Sequence, residues 1–228
     1  MAPRLFRDRR DAGRQLAVRL ESYRDKAPLV LGLARGGVSV AFEVAKALEG
    51  QLDVWMVRKI HARTRPELHL GSVCEGGDVF LDLQAAALLE SRVELNETIA
   101  LSAAEVEERG RCLRRGRVAP DVARRTVVVV DDGVVTGATA GAALRSLRRR
   151  EPAYLVLAVP IAPCWALEAL ERRADHVVCL AEAPGLFALG PVYDEYPPIS
   201  DEEAAELLER ARAAWVEPRV RQTASGQT

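Results

Sequence analysis

The sequence predicts an α/β fold with a central, mainly parallel sheet flanked by helices. Three observations carry that prediction. Apolar runs at 28–33, 52–60, 125–132, 154–162 and 176–182 alternate with segments of helical spacing, the pattern of strands joined by crossover helices. The run RTVVVVDD at 125–132 has four successive valines, so it lacks the in–out alternation of a half-wet strand and reads as a strand covered on both faces. The 228 residues, 49% hydrophobic and 29% charged, suffice for one buried core and exclude a disordered chain.

Each element has its own signal. Residues 11–25 place Leu16, Leu20 and Tyr23 at helical spacing, and Pro28 ends that segment. PLVLGL (28–33) reads as a buried strand, ARGG (34–37) as a tight loop, and 38–50 as a helix closed by Gly50. LDVWMVRKI (52–60) predicts a second strand. Residues 61–78 are polar and glycine-containing, a long loop or hairpin with Leu68–Val73 as a short strand. The stretch 83–115 is helical, its Glu and Arg residues a solvated face. After the four-valine strand come GVVTGATAG, a helix over GAALRSLRRR, strand 154–162, the helix PCWALEALERRA and strand 176–182. A Pro/Gly/aromatic segment (183–200) precedes a last helix capped by Ser200 or Asp201, with Glu203 nearby. Residues 1–212 are expected to form one domain and 213–228 a disordered tail.

Composition narrows the function classes. Thirty-two basic residues balance 33 acidic ones, which argues against a nucleic-acid footprint. No apolar run reaches the roughly 20 residues of a membrane helix, and MAPRLFRDRRDAG lacks the apolar stretch of a secretion signal. Cys74, Cys112, Cys164 and Cys179 have no CxxC spacing and the three histidines form no HExxH, so a structural zinc site and a disulfide framework are not expected. A cytoplasmic location follows as the expectation. Lysine occurs only at Lys26, Lys46 and Lys59, so a lysine beside a loop draws attention.

Ligands of open α/β sheets bind beyond the carboxyl ends of the strands. Two loops lie there. After the four-valine strand, Asp131 and Asp132 are followed by Gly133, which permits a sharp turn, and by Thr136, Gly137, Ala138 and Thr139 leading into a helix. Free N–H groups and the positive end of the helix dipole suit a phosphate monoester there. Carboxylates repel phosphate, so the acid pair needs other partners: neighbouring sugar hydroxyls, with a divalent cation close by. A phosphate and a diol in one ligand describe a ribose 5-phosphate moiety. A P-loop would need a lysine here, a dinucleotide fingerprint would need GxGxxG, and a DxDGT phosphatase would need carboxylates two apart. The plain alternative is a strand–turn–helix junction capped by Asp and Thr. In ARGG, Arg35 supplies a fork of donors and Gly36–Gly37 allow close backbone approach, an arrangement able to bind an anion.

The string VVVVDDGVVTGAT closely resembles the phosphoribosyl-diphosphate (PRPP) motif of type I phosphoribosyltransferases. LGLARGG, VRKI, PELHLGSV, AVPIAP and VYDEYPPISDEE resemble a subgroup of that family whose members carry only a generic name, and the likeness spans roughly 3–210. The resemblance implies a type I fold with a flexible hood loop (about 61–78) and a small C-terminal hood (183–200). It implies that Asp131 and Asp132 bind the ribose hydroxyls, and that Val135, Thr136, Gly137, Ala138 and Thr139 hold the 5-phosphate. Ala34, Arg35, Gly36, Gly37, Arg58 and Lys59 would receive the pyrophosphate, with a cis peptide bond at Ala34–Arg35. Catalysis would then rest on Arg35, Lys59, Asp131 and Asp132. Val134–Val135 departs from the subgroup's usual Ile/Val-Ala by a larger residue at the phosphate loop. His61, Arg63, Arg65, Glu67 and His69 lie on the hood loop, while Phe187 and Tyr193, with Tyr196 nearby, are candidates to stack on a base or to pack in the core; Asp194 and Glu195 are candidate ring-nitrogen contacts.

The implied reaction transfers phosphoribosyl from PRPP to a nitrogen acceptor, a nucleobase-like heterocycle, in nucleotide salvage. Mg²⁺ is implied as cofactor, held through PRPP and water rather than by direct protein ligands. A homodimer, no nucleic acid and no membrane complete the expectation. Two other classes stand beside it: a PRPP-binding regulatory module without catalysis, and a phosphosugar hydrolase.

Overall fold

The computed structural model describes residues 4–89 and 92–224. Its elements in order are α1 (Arg9–Arg19), a 3-10 turn (Glu21–Lys26), β1 (Leu29–Leu33), α2 (Ala34–Leu48), β2 (Gln51–Trp55), β3 (Val57–His61), β4 (His69–Cys74), β5 (Val79–Leu81), α3 (Leu83–Ala86), α4 (Arg92–Leu113), β6 (Thr126–Val130), α5 (Ala138–Arg148), β7 (Tyr154–Ala162), α6 (Cys164–Glu171), β8 (His176–Glu182), a second 3-10 turn (Gly190–Val192) and α7 (Asp201–Ala224).

Five strands form a wholly parallel sheet in the order β2-β1-β6-β7-β8. Alternate residues go to opposite faces. Val30, Val128, Val130, Val156 and Ala158 pack under α1, α2 and α7, while Leu29, Leu31, Val127, Val129, Leu155 and Leu157 pack under α5 and α6. Val127 to Val130 are all fully buried, each worth about 1.5–3 kcal/mol of transfer free energy, so the valine run takes the middle of the sheet. From β1 the chain first builds outward to β2 and later returns to place β6 on the other side of β1. The carboxyl ends of β1 and β6 are therefore the topological switch point, where loops diverge and leave a crevice.

The structure corrects three local readings. The run 52–60 is two strands, not one: the chain leaves the core sheet at Met56, and β3 joins β4 and β5 in a small antiparallel sheet. Arg58 and Lys59 are exposed, so this part of the run cannot lie between two helical layers as β1 does. Most of the expected 61–78 loop is consequently hairpin, with 62–68 as its connection. ARGG is not a loop but the first turn of α2; the side chain of Ala34 lies outside the described residues. No cis peptide bond occurs among the described residues, so the one expected at Ala34–Arg35 is not found.

Helix α7 opens with a reciprocal cap. Ser200 Oγ accepts from Glu203 N at 3.1 Å, and Glu203 Oε2 accepts from Ser200 N at 2.7 Å. It takes in residues up to 224 of the 213–228 segment; 225–228 lie outside the described residues. Among the described residues no helix is long and apolar enough to cross a membrane.

Candidate functional site

The two loops singled out from the sequence meet at the switch point. Gly32 of β1 pairs with Val130 of β6, so the next residues of each strand end are neighbours. A β-carbon on Gly36 would land on the Asp132 carboxylate, and one on Gly37 would lie 2.7 Å from the Val130 carbonyl oxygen and 3.1 Å from Asp131 Cα. Only glycines let the start of α2 rest on the acid pair. Beyond the pair, Gly133 (φ 149°) and Gly137 (φ 75°) hold backbone conformations that side chains resist. Gly137, at the N-cap of α5, has no side chain to cap the helix, and Ala138 N donates to Thr136 Oγ1 only at a long 3.4 Å, which leaves the dipole end of α5 available to an anion.

Five predicted site residues line two cavities. Thr136, Gly137 and Ala138 line one of about 410 Å³, together with His69, Ser72 and Asp82 of the β4–β5 hairpin and Arg145 and Arg173. The hairpin thus stands over residues 136–138. Arg35 and Arg58 line a second cavity of about 740 Å³ between β3, α4 and the start of α7. Here Arg35 Nε lies 3.7 Å from Asp201 Oδ1 and Arg58 Nη1 lies 2.7 Å from Glu105 Oε2. Lys59 is exposed on β3, on the face opposite its neighbour Arg58. Burial lowers the pKa of His69, and the nearby His61 and Lys59 charges lower it further.

The acid pair is electrostatically asymmetric. Asp131 is half-buried; its Oδ1 accepts from Asp132 N at 2.9 Å. Burial, and then the neighbouring Asp132 carboxylate, push the Asp131 carboxyl well above the usual range. Asp132 is buried, and its Oδ2 accepts from Arg9 Nε at 2.8 Å and from the Tyr196 hydroxyl at 2.8 Å. Tyr193 donates its hydroxyl to the Asp132 carbonyl at 2.6 Å.

Of the two aromatic candidates, Phe187 is 91% exposed and free to stack, but Tyr193 is 2% exposed. Its ring sits between Phe6 (centroids 5.4 Å apart) and Tyr196 (5.0 Å), which leaves no open face for a base. Asp194 pairs with Arg4 at 3.2 Å. Sequence reasoning missed Arg9. The signal was present: Arg9, Ala12, Gly13, Leu16 and Ala17 form the buried stripe of α1, and an arginine at its head needs a buried partner. Among the described residues no group of three or more His, Cys, Asp or Glu is placed to hold a metal ion.

A parallel sheet with an acid pair, a glycine turn and an uncapped helix start at its switch point defines a class, and the comparisons place the chain in it. Residues 9–180 match the phosphoribosyl transferase domain family, and the chain belongs to that family, with the type I fold expected. Two relatives from Mycobacterium tuberculosis strains, provisionally named as phosphoribosyl transferases, are each 43% identical over 220 residues, covering 94% of this chain and 48% of theirs. The chain therefore spans about half the length of these curated relatives. The crystal structure of TT1426 from Thermus thermophilus is 41% identical, with TM-score 0.77, covering 90% of this chain and 98% of that one.

Proposed function

We propose that this chain transfers the 5-phosphoribosyl group of PRPP to a ring nitrogen of a nucleobase-like heterocycle, with release of pyrophosphate. The observation that carries the reading is the contact of Gly36–Gly37 with Asp131–Asp132 beside the uncapped start of α5. In this reading the ribose hydroxyls lie on the acid pair and the 5-phosphate on Val135 to Thr139. The C1–O bond to pyrophosphate breaks with its electron pair, a C1–N bond forms, and the acceptor's proton is lost. Arg35 and the α2 start take up the charge on the leaving group. Arg58, which shares a cavity with Arg35, approaches it from β3, and Lys59, on the other face of that strand, is brought towards it as the hairpin closes and excludes water.

The ion pairs of Arg35 with Asp201 and of Arg58 with Glu105 do not oppose this. All four side chains are about half exposed, and such surface pairs are worth only about 0–1 kcal/mol, so a pyrophosphate readily replaces the carboxylates. Mg²⁺, held through PRPP and water rather than by direct protein ligands, would neutralise pyrophosphate charge when bound. The reaction is of the nucleotide-salvage kind, in the cytoplasm, and the protein acts as a homodimer. Exposed Leu83, Leu88, Val93 and Leu101 on α3 to α4 support a second copy.

Calorimetric titration with PRPP, with and without Mg²⁺, tests the reading. Saturable, Mg²⁺-dependent binding that the double substitution Asp131→Asn, Asp132→Asn abolishes is expected, followed by pyrophosphate release on a panel of nucleobases. Absence of PRPP binding by the folded wild type rejects it. Binding without turnover on any acceptor would instead mark a PRPP-sensing module.

A further inference from the structure

The N-terminal helix and the 183–200 segment converge on one oxygen atom. Asp132 Oδ2 receives both the Arg9 Nε–H and the Tyr196 O–H. Arg9 is held from its other side as well: Nη1 donates to the Pro197 carbonyl at 2.6 Å, and the guanidinium lies 3.8 Å from the Tyr196 ring centroid. With the Tyr193 hydroxyl on the Asp132 carbonyl, residues 193–197 and Arg9 together brace one residue of the loop after β6. The side chains of Arg9 and Asp132 are only 8% and 11% exposed. The side-chain hydrogen bonds that reach the Asp132 carboxylate from outside the acid pair, those of Arg9 and Tyr196, both end on Oδ2.

Taking two charges out of water is costly, and a buried ion pair adds little net stability over apolar residues of similar volume. What such a pair does supply is orientation. Two donors on Oδ2, with Gly36 against the carboxylate, leave the group a single arrangement. We propose that Arg9 and Tyr196 are positioning residues: by occupying Oδ2 they present Oδ1 to the ribose hydroxyls, and they make PRPP binding and the conformation of 193–197 depend on each other. The inference rests on the phosphoribosyl reading of the site. It gives the aromatic segment a second task besides covering an acceptor, since a shift of Tyr196 releases the carboxylate that PRPP uses.

The test uses the full chain and PRPP with Mg²⁺, by calorimetry and by amide hydrogen exchange. Tyr196→Phe keeps the ring under Arg9 and removes only the hydroxyl. It is expected to remain folded with wild-type far-UV circular dichroism and to bind PRPP about tenfold more weakly, the scale of one hydrogen bond to a charged group. Arg9→Met is expected to lose more than tenfold and Arg9→Lys to recover part of that loss. Tyr23→Phe, which removes a hydroxyl bonded to His176 Nδ1 away from this network, should bind as wild type. In the wild type, PRPP should slow exchange at the amides of Asp194 and Glu195, which bond to the carbonyls of Phe6 and Arg7. Tyr196→Phe should lose that ligand-induced slowing, a response that a purely structural tyrosine would leave intact.

Three results overturn the proposal: unchanged PRPP affinity in Tyr196→Phe, retention of the full ligand-induced slowing in that variant, or an affinity loss accounted for by partial unfolding. If the wild type itself binds no PRPP, the phosphoribosyl reading falls and the clamp with it. If the wild type binds and Tyr196→Phe is unchanged, the clamp alone falls.

Discussion

At the scale of single residues, the acid pair sets stability and binding against each other. The raised pKa of Asp131 means that the folded chain holds this proton more tightly than the unfolded chain does. The stabilisation is complete below the ordinary value of 3.8 and is lost as pH rises through the raised one. Asp131→Asn removes the charge that burial and Asp132 oppose. Its thermal midpoint should match the wild type near pH 4 and exceed it at pH 8, while PRPP affinity falls. A midpoint difference that does not grow with pH would show that Asp131 ionises without penalty. Cysteines provide a second check. Burial, then the Asp78 charge, push the Cys74 thiol up to about 12, and Cys74 is fully buried while Cys112 is exposed. Alkylation of the native protein at pH 8 should therefore modify Cys112 and spare Cys74 until the chain is unfolded. The pair Asp131–Asp132 was legible because strand, acids, glycine turn and helix start are contiguous. For Arg9 the helical stripe is local but the partner is not: Asp132 lies 123 residues away, and local pattern carries no distance information.

At the scale of elements, the start of α2 decides whether the site can exist. Alanine in a helix is ordinarily favoured over glycine by about 0.5–1 kcal/mol. At position 36 the same methyl group meets the Asp132 carboxylate, and overpacking of this kind costs about 1–3 kcal/mol. Gly36→Ala is therefore expected to lower the thermal midpoint and to remove measurable PRPP binding. An unchanged midpoint would mean that the carboxylate has room to retreat. The periodicity of α2 was readable from Val38 onward, but its first turn was not, since Arg-Gly-Gly carries weak helix propensity and the turn is stabilised by packing on β1 and β6. The same limit explains 52–60. Its apolar run is continuous in sequence, and what divides it is Met56, whose carbonyl accepts from Glu75 N at 2.9 Å and whose N–H donates to Glu75 Oε2 at 3.4 Å. The edge-strand character of β3 is written only in Arg58 and Lys59.

At the scale of the whole molecule, a buried arginine helps to fasten the two sheets to each other. Arg114 is 3% exposed; its Nε donates to Asp53 of β2 at 2.6 Å, its Nη2 to the Val54 carbonyl at 2.6 Å, and it forms a forked pair with Glu75 beyond β4. Burial raises the Asp53 pKa even beside this guanidinium, so loss of the arginine would leave two carboxylates without a counter-charge. Arg114→Met should destabilise the fold by about 3–5 kcal/mol in urea unfolding. Arg114→Lys should recover little, because an ammonium cannot span three acceptors. With Leu83, Leu88, Val93 and Leu101 all exposed, Leu101→Glu is expected to shift a dimer towards monomer in sedimentation.

Residues 5–7 are also joined to residues 192–195. Leu5 N donates to the Val192 carbonyl at 2.8 Å, and the N–H groups of Asp194 and Glu195 donate to the carbonyls of Phe6 and Arg7 at 2.9 Å each. Asp132 precedes Tyr196 by 64 residues, and a ribosome adds about 5–20 residues per second. A chain under synthesis thus spends roughly 3–13 s with its acid pair already made and the tyrosine that secures it not yet added. During that interval Arg9 has Asp132 to pair with but neither the Tyr196 ring nor the Pro197 carbonyl. The loop after β6 therefore gains its full set of contacts only once residues 193–197 have been added.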